Sequence, residues 1–196
     1  MKFDTSNWKE FRVGDLFDIH PTTAYKKTNA ELFNEGNNPV VVNSAYNNGI
    51  GGYSSFATTE KGNMVTFSDT VDANTIFYQE KDFIGYPHVQ GLYPKEPYKD
   101  KWKKEHLLFF ISSFKKSALA KGFDYGNNLK VKLPAYGEEP DWKYMEKSII
   151  QINVKVSKAI EQIKCVNGEK QKSINLIKWK KFHLYDDKLF TIDSGS

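Results

Sequence analysis

The apolar positions change period along the chain, and the change falls near residue 140. Before it they come in short runs broken by Gly, Asn, Asp and Pro, the pattern of strands joined by turns. Residues 8–19 alternate loosely and predict a first strand, or a short strand with a turn. Residues 21–30 form a polar loop, and residues 34–38 a turn in which Gly36 can supply positive φ. Residues 39–43 predict a Val-rich strand covered on both faces. Residues 62–68 and 73–79 predict two strands of a meander, and residues 83–93 a further extended stretch. A Lys- and Tyr-rich link over 95–104 precedes a helix predicted at 106–119, with Leu107, Ile111, Phe114 and Ala118 on one face. An Asn/Gly turn at 123–128 leads to a last strand at 130–133.

From Asp141 to about residue 171 the period becomes that of a helix. Met145, Ile149, Ile152, Val156, Ala159, Ile163 and Val166 follow one another in steps of four and three, which is a heptad seam. Asp141, after Pro140, is placed to cap the first turn with its carboxylate. At 1.5 Å per residue the rod would be roughly 45 Å long. Lys147, Gln151, Lys155, Lys158 and Glu161 fall outside the seam, so the rest of the helix is expected to face water. So narrow a stripe needs a partner surface, either this chain's own globular part or, in a spacer coiled coil, a second copy or a partner protein.

Beyond the helix the chain echoes its own start. Trp8-x-x-Phe11 followed by Leu16-Phe17-Asp18-Ile19 is matched by Trp179-x-x-Phe182 followed by Leu189-Phe190-Thr191-Ile192. Such self-similarity reads as one unit finishing and a like unit beginning. The expected fold is α+β, a globular β-rich domain with a short helix over 1–138, then a long coiled-coil-type spacer helix over 139–173. Residues 174–196 are expected to be the start of a truncated second repeat.

Composition narrows the function. The chain has 196 residues and a formal charge of +4, which fits an anionic partner. The single cysteine, Cys165, excludes a disulfide framework within one chain, and no apolar run approaches membrane-spanning length. The cytoplasm is the expected compartment. The four histidines share no metal-ligand spacing with Cys165, and no phosphate loop, nucleophile elbow or paired carboxylate cluster is found. No catalytic residue, metal or cofactor is therefore expected. Residues 44–53, with three glycines, two tyrosines and two asparagines, read either as a wide hairpin turn or as a loop laid against DNA.

The order of these segments resembles the specificity (S) subunit of type I restriction–modification systems. The opening at Trp8-x-x-Phe11, the late loop with Tyr125-Gly126-Asn127-Asn128, and the lead-in Pro140-Asp141-Trp142-Lys143-Tyr144-Met145-Glu146 carry the likeness. The resemblance implies a target recognition domain that reads half of a split DNA site, and a spacer helix that sets the distance between halves. Catalysis would belong to DNA adenine methyltransferase subunits bound around it, with a restriction subunit as a further candidate partner. With one domain and one helix, the chain resembles half of such a subunit and is expected to form a homodimer through the seam named above. Base edges are read by hydrogen-bonding side chains, so Tyr46, Asn47, Asn48, Asn74, Gln90 and Asn127 are the expected base contacts. Lys26, Lys27, Tyr53, Lys115 and Lys121 are the expected phosphate contacts. The competing expectations are an RNA- or carbohydrate-binding module that dimerises through its helix, and an unrecognised nuclease.

Overall fold

The computed structural model describes residues 4–70, 73–121 and 128–170. Strand β1 (Trp8–Arg12), a helical turn α1 (Val13–Leu16) and strand β2 (Phe17–Pro21) open the chain. A second helical turn, α2 (Asn29–Leu32), leads to the hairpin β3 (Asn38–Val41) and β4 (Ile50–Ser54). Strands β5 (Met64–Ser68), β6 (Phe77–Gln79) and β7 (Val89–Pro94) follow, then helix α3 (Lys104–Lys121). Strands β8 (Lys130–Tyr136) and β9 (Glu139–Pro140) precede the long helix α4 (Trp142–Lys170). The α+β expectation holds.

One strand is buried at every position, and it is β5. Its edges are paired, since the antiparallel sheet runs β2-β7-β5-β6. Its faces are covered too. Val65 and Phe67 point into the main core, where Phe67 meets Phe114 of α3 edge-on with ring centroids 5.9 Å apart. Met64, on the opposite face, packs with Val41, Phe83 and Val89. A third cluster, Leu32, Val40 and Ile84, closes the layer built on the β3–β4 hairpin. A separate sheet, β1-β8-β9, sends Val131 and Leu133 into the main core beside α3.

Aromatic rings tie α4 to this domain. Phe17 lies 4.6 Å from Trp102 and 4.9 Å from Phe110, and Trp102 meets Trp142 at 4.8 Å and 88°. Such tilted contacts suit the ring quadrupoles. Asp141 caps the helix as expected, its carboxylate accepting from the Tyr144 N–H at 2.9 Å. Met145 is fully buried and Ser148 nearly so. A first compact unit ends at Asn153, and the helix from Val154 belongs to a second. The domain unit therefore takes in the first three turns of a helix that the sequence pattern assigns to the spacer from 139.

Two strand expectations and one loop expectation need correction. Within 73–79, Ala73–Thr75 is a tight helical turn and only Phe77–Gln79 is strand, because the Thr75 hydroxyl accepts from the Ser68 N–H at 3.1 Å and closes the loop early. Within 83–93, Phe83 and Ile84 make single bridges to Glu60 and Val40. Pro87 and a left-handed His88 then interrupt the chain before β7 begins. The polar loop 21–30 ends in α2, whose capping box pairs Thr28 with Glu31. The turn expected at 123–128, the echo at 179–192 and the second repeat at 174–196 lie almost wholly outside the described residues.

The two parts of the heptad seam should differ in unfolding experiments. Met145→Ala should cost about 2–3 kcal/mol by urea denaturation, as for a buried Met in a packed core. Val156→Ala, at a position exposed in the single chain, should leave the stability of the isolated domain, measured at concentrations where the chain is monomeric, within about 0.5 kcal/mol.

Candidate nucleic-acid interface

The β3–β4 hairpin turns through three consecutive left-handed residues, Asn47 (φ 49), Asn48 (φ 55) and Gly49 (φ 76). Asn and Gly are the residues that tolerate this conformation. The Asn47 amide donates to the Ile50 carbonyl at 3.1 Å, bracing the turn from within. The Asn48 amide donates to the Tyr78 carbonyl at 3.0 Å and to Gln79 Oε1 at 3.3 Å. Buried Gln79 answers by donating to the Asn48 carbonyl at 3.1 Å and to Thr66 Oγ1 at 3.0 Å. A continuous polar network thus seats the turn on β6 and β5. Of the two readings of 44–53, the hairpin turn describes the backbone, and Tyr46 stands 82% exposed at its rim.

Other expected contacts gather at the same end of the sheet, where β5 passes into β6. Lys115 of α3 stands 5.2 Å from the centre of the Phe77 ring, and Gly49 lies against that ring as well. Asn74 is exposed on the turn between β5 and β6. Gln90 pairs with Phe67 across the β5–β7 ladder, and its Nε2 donates to Asp69 Oδ2 at 2.6 Å. Tyr46, Asn47, Asn48, Asn74, Gln90 and Lys115 thus border β5 and β6 from four separate stretches of sequence.

Lys26, Lys27 and Tyr53 are not part of this group. They belong to the layer formed by the 22–33 loop, α2 and the β3–β4 hairpin. Lys27 pairs with Glu31 at 3.2 Å. The Glu31 carboxyl is held down at about 2, first by the Thr28 backbone N–H, then by the Thr28 hydroxyl and Lys27. Lys26 is exposed, and Tyr53 is half exposed on β4 opposite Pro39. The Lys121 side chain and Asn127 lie outside the described residues.

Three basic residues were missing from the sequence-based set. Lys116, Lys130 and Lys132 line a cleft of about 440 Å³ with Trp8 and Ser113. Lys130 faces Glu10 at 3.5 Å, while Lys116 and Lys132 have no ion-pair partner among the described residues. No sequence pattern signals this cleft, because β1 and β8 meet through sheet pairing and α3 through packing on β8. Among the described residues no group of three His, Cys, Asp or Glu is arranged to hold a metal. No described helix is long and apolar enough to cross a membrane.

Along the α4 seam, Met145 is used up inside the domain, which corrects its expected place in a dimer contact. Ile149 and Ile152 are half covered. Val156 is 51% and Ile163 59% exposed, and Ala159 is exposed between them. Val154 and Ile160, which the heptad count left aside, are exposed too and widen the stripe. The Val166 side chain lies outside the described residues.

Residues 5–164 match the family described as the type I restriction modification DNA specificity domain. The chain is 26% identical, over 198 residues, to the specificity subunit S.BcgI of a type II restriction enzyme from Heyndrickxia coagulans. That match covers 96% of this chain and 55% of the relative, so the chain spans about half the length of the curated protein it resembles. Among solved structures it is similar to the type I restriction–modification S subunit from M. genitalium, with a TM-score of 0.54 and 12% identity over 83% of this chain and 43% of that one. A chain from a structure of type I R–M complex assembly and conformational transition gives a TM-score of 0.51 and 18% identity, over 86% of this chain and 44% of that one. At such identities the two structures speak for the fold alone.

The polar seat under the hairpin predicts its own mutational signature. Asn48→Ala should destabilise by about 1–3 kcal/mol, since it takes the amide donor from the Tyr78 carbonyl and Gln79 Oε1 and replaces Asn, which tolerates left-handed backbone, by a residue that does not. Asn48→Gly keeps the backbone and should cost less, whereas Tyr46→Ala should leave the thermal midpoint unchanged.

Proposed function

The chain belongs to the type I restriction modification DNA specificity family, and on that footing we propose that it reads one half-site of a split double-stranded DNA target without catalysing a reaction itself. The family match across 5–164 carries this reading. What supports the choice of face is the gathering of exposed Tyr46, Asn74 and half-buried Gln90 at one end of the β5 sheet, with Lys115 beside them. Amide side chains there can meet base edges in the major groove, where adenine offers N7 and N6 to an Asn or Gln. Asn48 acts on this account as a brace for Tyr46 and Asn47 and contacts no base. Lys115, together with Lys116 and Lys132 of the neighbouring cleft, would meet phosphates, which set register and contribute the salt-dependent part of affinity.

Methylation and cleavage would belong to methyltransferase and restriction subunits assembled with it. The apolar stripe of Val154, Val156, Ile160 and Ile163 would pair with the same stripe on a second copy. A two-fold dimer of this kind reads an inverted repeat, because symmetry in the protein is mirrored in the site.

Selection from a random double-stranded DNA library, with the chain alone and with its methyltransferase, tests the reading. An enriched inverted repeat with a fixed gap is expected. No enrichment under either condition would remove DNA specificity. Lys115→Ala should weaken binding to all sequences alike and make the slope of log affinity against log salt shallower by about one unit. Val156→Asp combined with Ile163→Asp should convert a dimer to a monomer in sedimentation, with the domain still folded. A wild-type chain that sediments as a monomer would contradict the pairing.

A further inference from the structure

We infer that Asp69 is a positioning residue for base reading, holding the Gln90 amide in one orientation so that Gln90 selects an A·T pair within the half-site. The inference rests on the DNA-reading function proposed above and adds Asp69 and His88 to the residues that set specificity. Asp69 directly follows β5, and the β5–β7 register brings Val89 opposite Ser68 and Gln90 opposite Phe67. Asp69 Oδ2 accepts from Gln90 Nε2 at 2.6 Å, while Oδ1 lies 3.2 Å from His88 Nδ1. The Asp69 N–H also donates to the His88 carbonyl at 3.2 Å. One carboxylate thereby meets two polar side chains, Gln90 of the neighbouring strand and His88 just before it.

Stability does not account for this arrangement. The His88 side chain is 61% exposed, and Asp69 39%. Exposed ion pairs of this kind return little. His88 also holds a φ of 65, a conformation unfavourable for a residue with a β-carbon. Strain is accepted at a solvent-facing sheet end, beside the residues assigned to DNA contact, without burial to offset it.

Orientation is what the arrangement secures. A glutamine amide can turn over, exchanging its donor and acceptor ends. With one N–H committed to Asp69, that exchange is disfavoured. The second N–H and the carbonyl oxygen then form the donor–acceptor pair that matches N7 and N6 of adenine. Without Asp69, Gln90 could offer either end, and the preference at that base pair would blur.

The test compares DNA selected from a random double-stranded library by the full chain and by Asp69→Ala, Asp69→Asn and Gln90→Ala. The wild-type site is expected to contain an A·T pair preferred about fivefold or more, the lower end of the range for a bidentate contact. Gln90→Ala and Asp69→Ala should both lose the preference at that one position. All other positions, the salt slope and the melting temperature should be unchanged. Asp69→Asn keeps an acceptor for Gln90 and should retain most of the preference, and the Asp69→Ala, Gln90→Ala double variant should go no further than either single one. An unaltered base profile in Asp69→Ala would overturn the inference, as would a uniform loss at every position with a lowered melting temperature. A wild-type chain that enriches no sequence would overturn the DNA-reading function and this inference with it.

Discussion

The whole arrangement depends on β5 being covered on both faces. Val65 and Phe67 fasten α3 to one side, while Met64 fastens the layer of the β3–β4 hairpin to the other. Because successive residues of a strand point to opposite faces, five residues are enough to hold two layers in register. The polar side chains of that strand are equally committed. Thr66 accepts from Gln79, which in turn holds the Asn48 turn in place. A shift of β5 by one residue would exchange its two faces and disperse every candidate contact.

From that strand the molecule divides its tasks by exposure. Buried aromatics at Phe17, Trp102, Phe110 and Trp142 make a rigid base. The left-handed residues Asn47, Asn48 and His88 lie at the sheet's margins, where backbone strain is most often retained for function. Rigid strands holding polar loops suit a protein that must discriminate among ligands of almost equal charge and shape. Helix α4 repeats the division along its own length. Its first turns belong to the core through Met145, and its later turns present Val156, Ile160 and Ile163 to solvent.

The sequence made the periodic parts legible. The helix under the heptad steps, the Asp141 cap and the apolar face of α3 follow from local spacing, and the structure contains that helix, its cap and that face. The lengths of β6 and β7 were not legible, because the Thr75 hydroxyl and the left-handed His88 decide them through contacts that spacing does not encode. The site was legible only as composition. Asn and Tyr in 44–53 marked a special loop, yet whether Asn48 faced outward or inward depended on Tyr78 and Gln79, some thirty residues later. Asp69 and Gln90 are 21 residues apart, and only sheet register makes them neighbours. Thr28-Asn29-Ala30-Glu31, by contrast, is a capping box readable from local spacing, at the end of the polar segment 21–30.

The central claim is that the β5–β6 end of the sheet is the surface that meets DNA. Amide hydrogen exchange of the full chain, with and without its selected DNA, tests this most directly. The account predicts slowed exchange on binding across 46–50, 73–75 and 88–90, with 23–31 unchanged. Slowing confined to 23–31, or to the α4 stripe, with the sheet end unaffected, would contradict it.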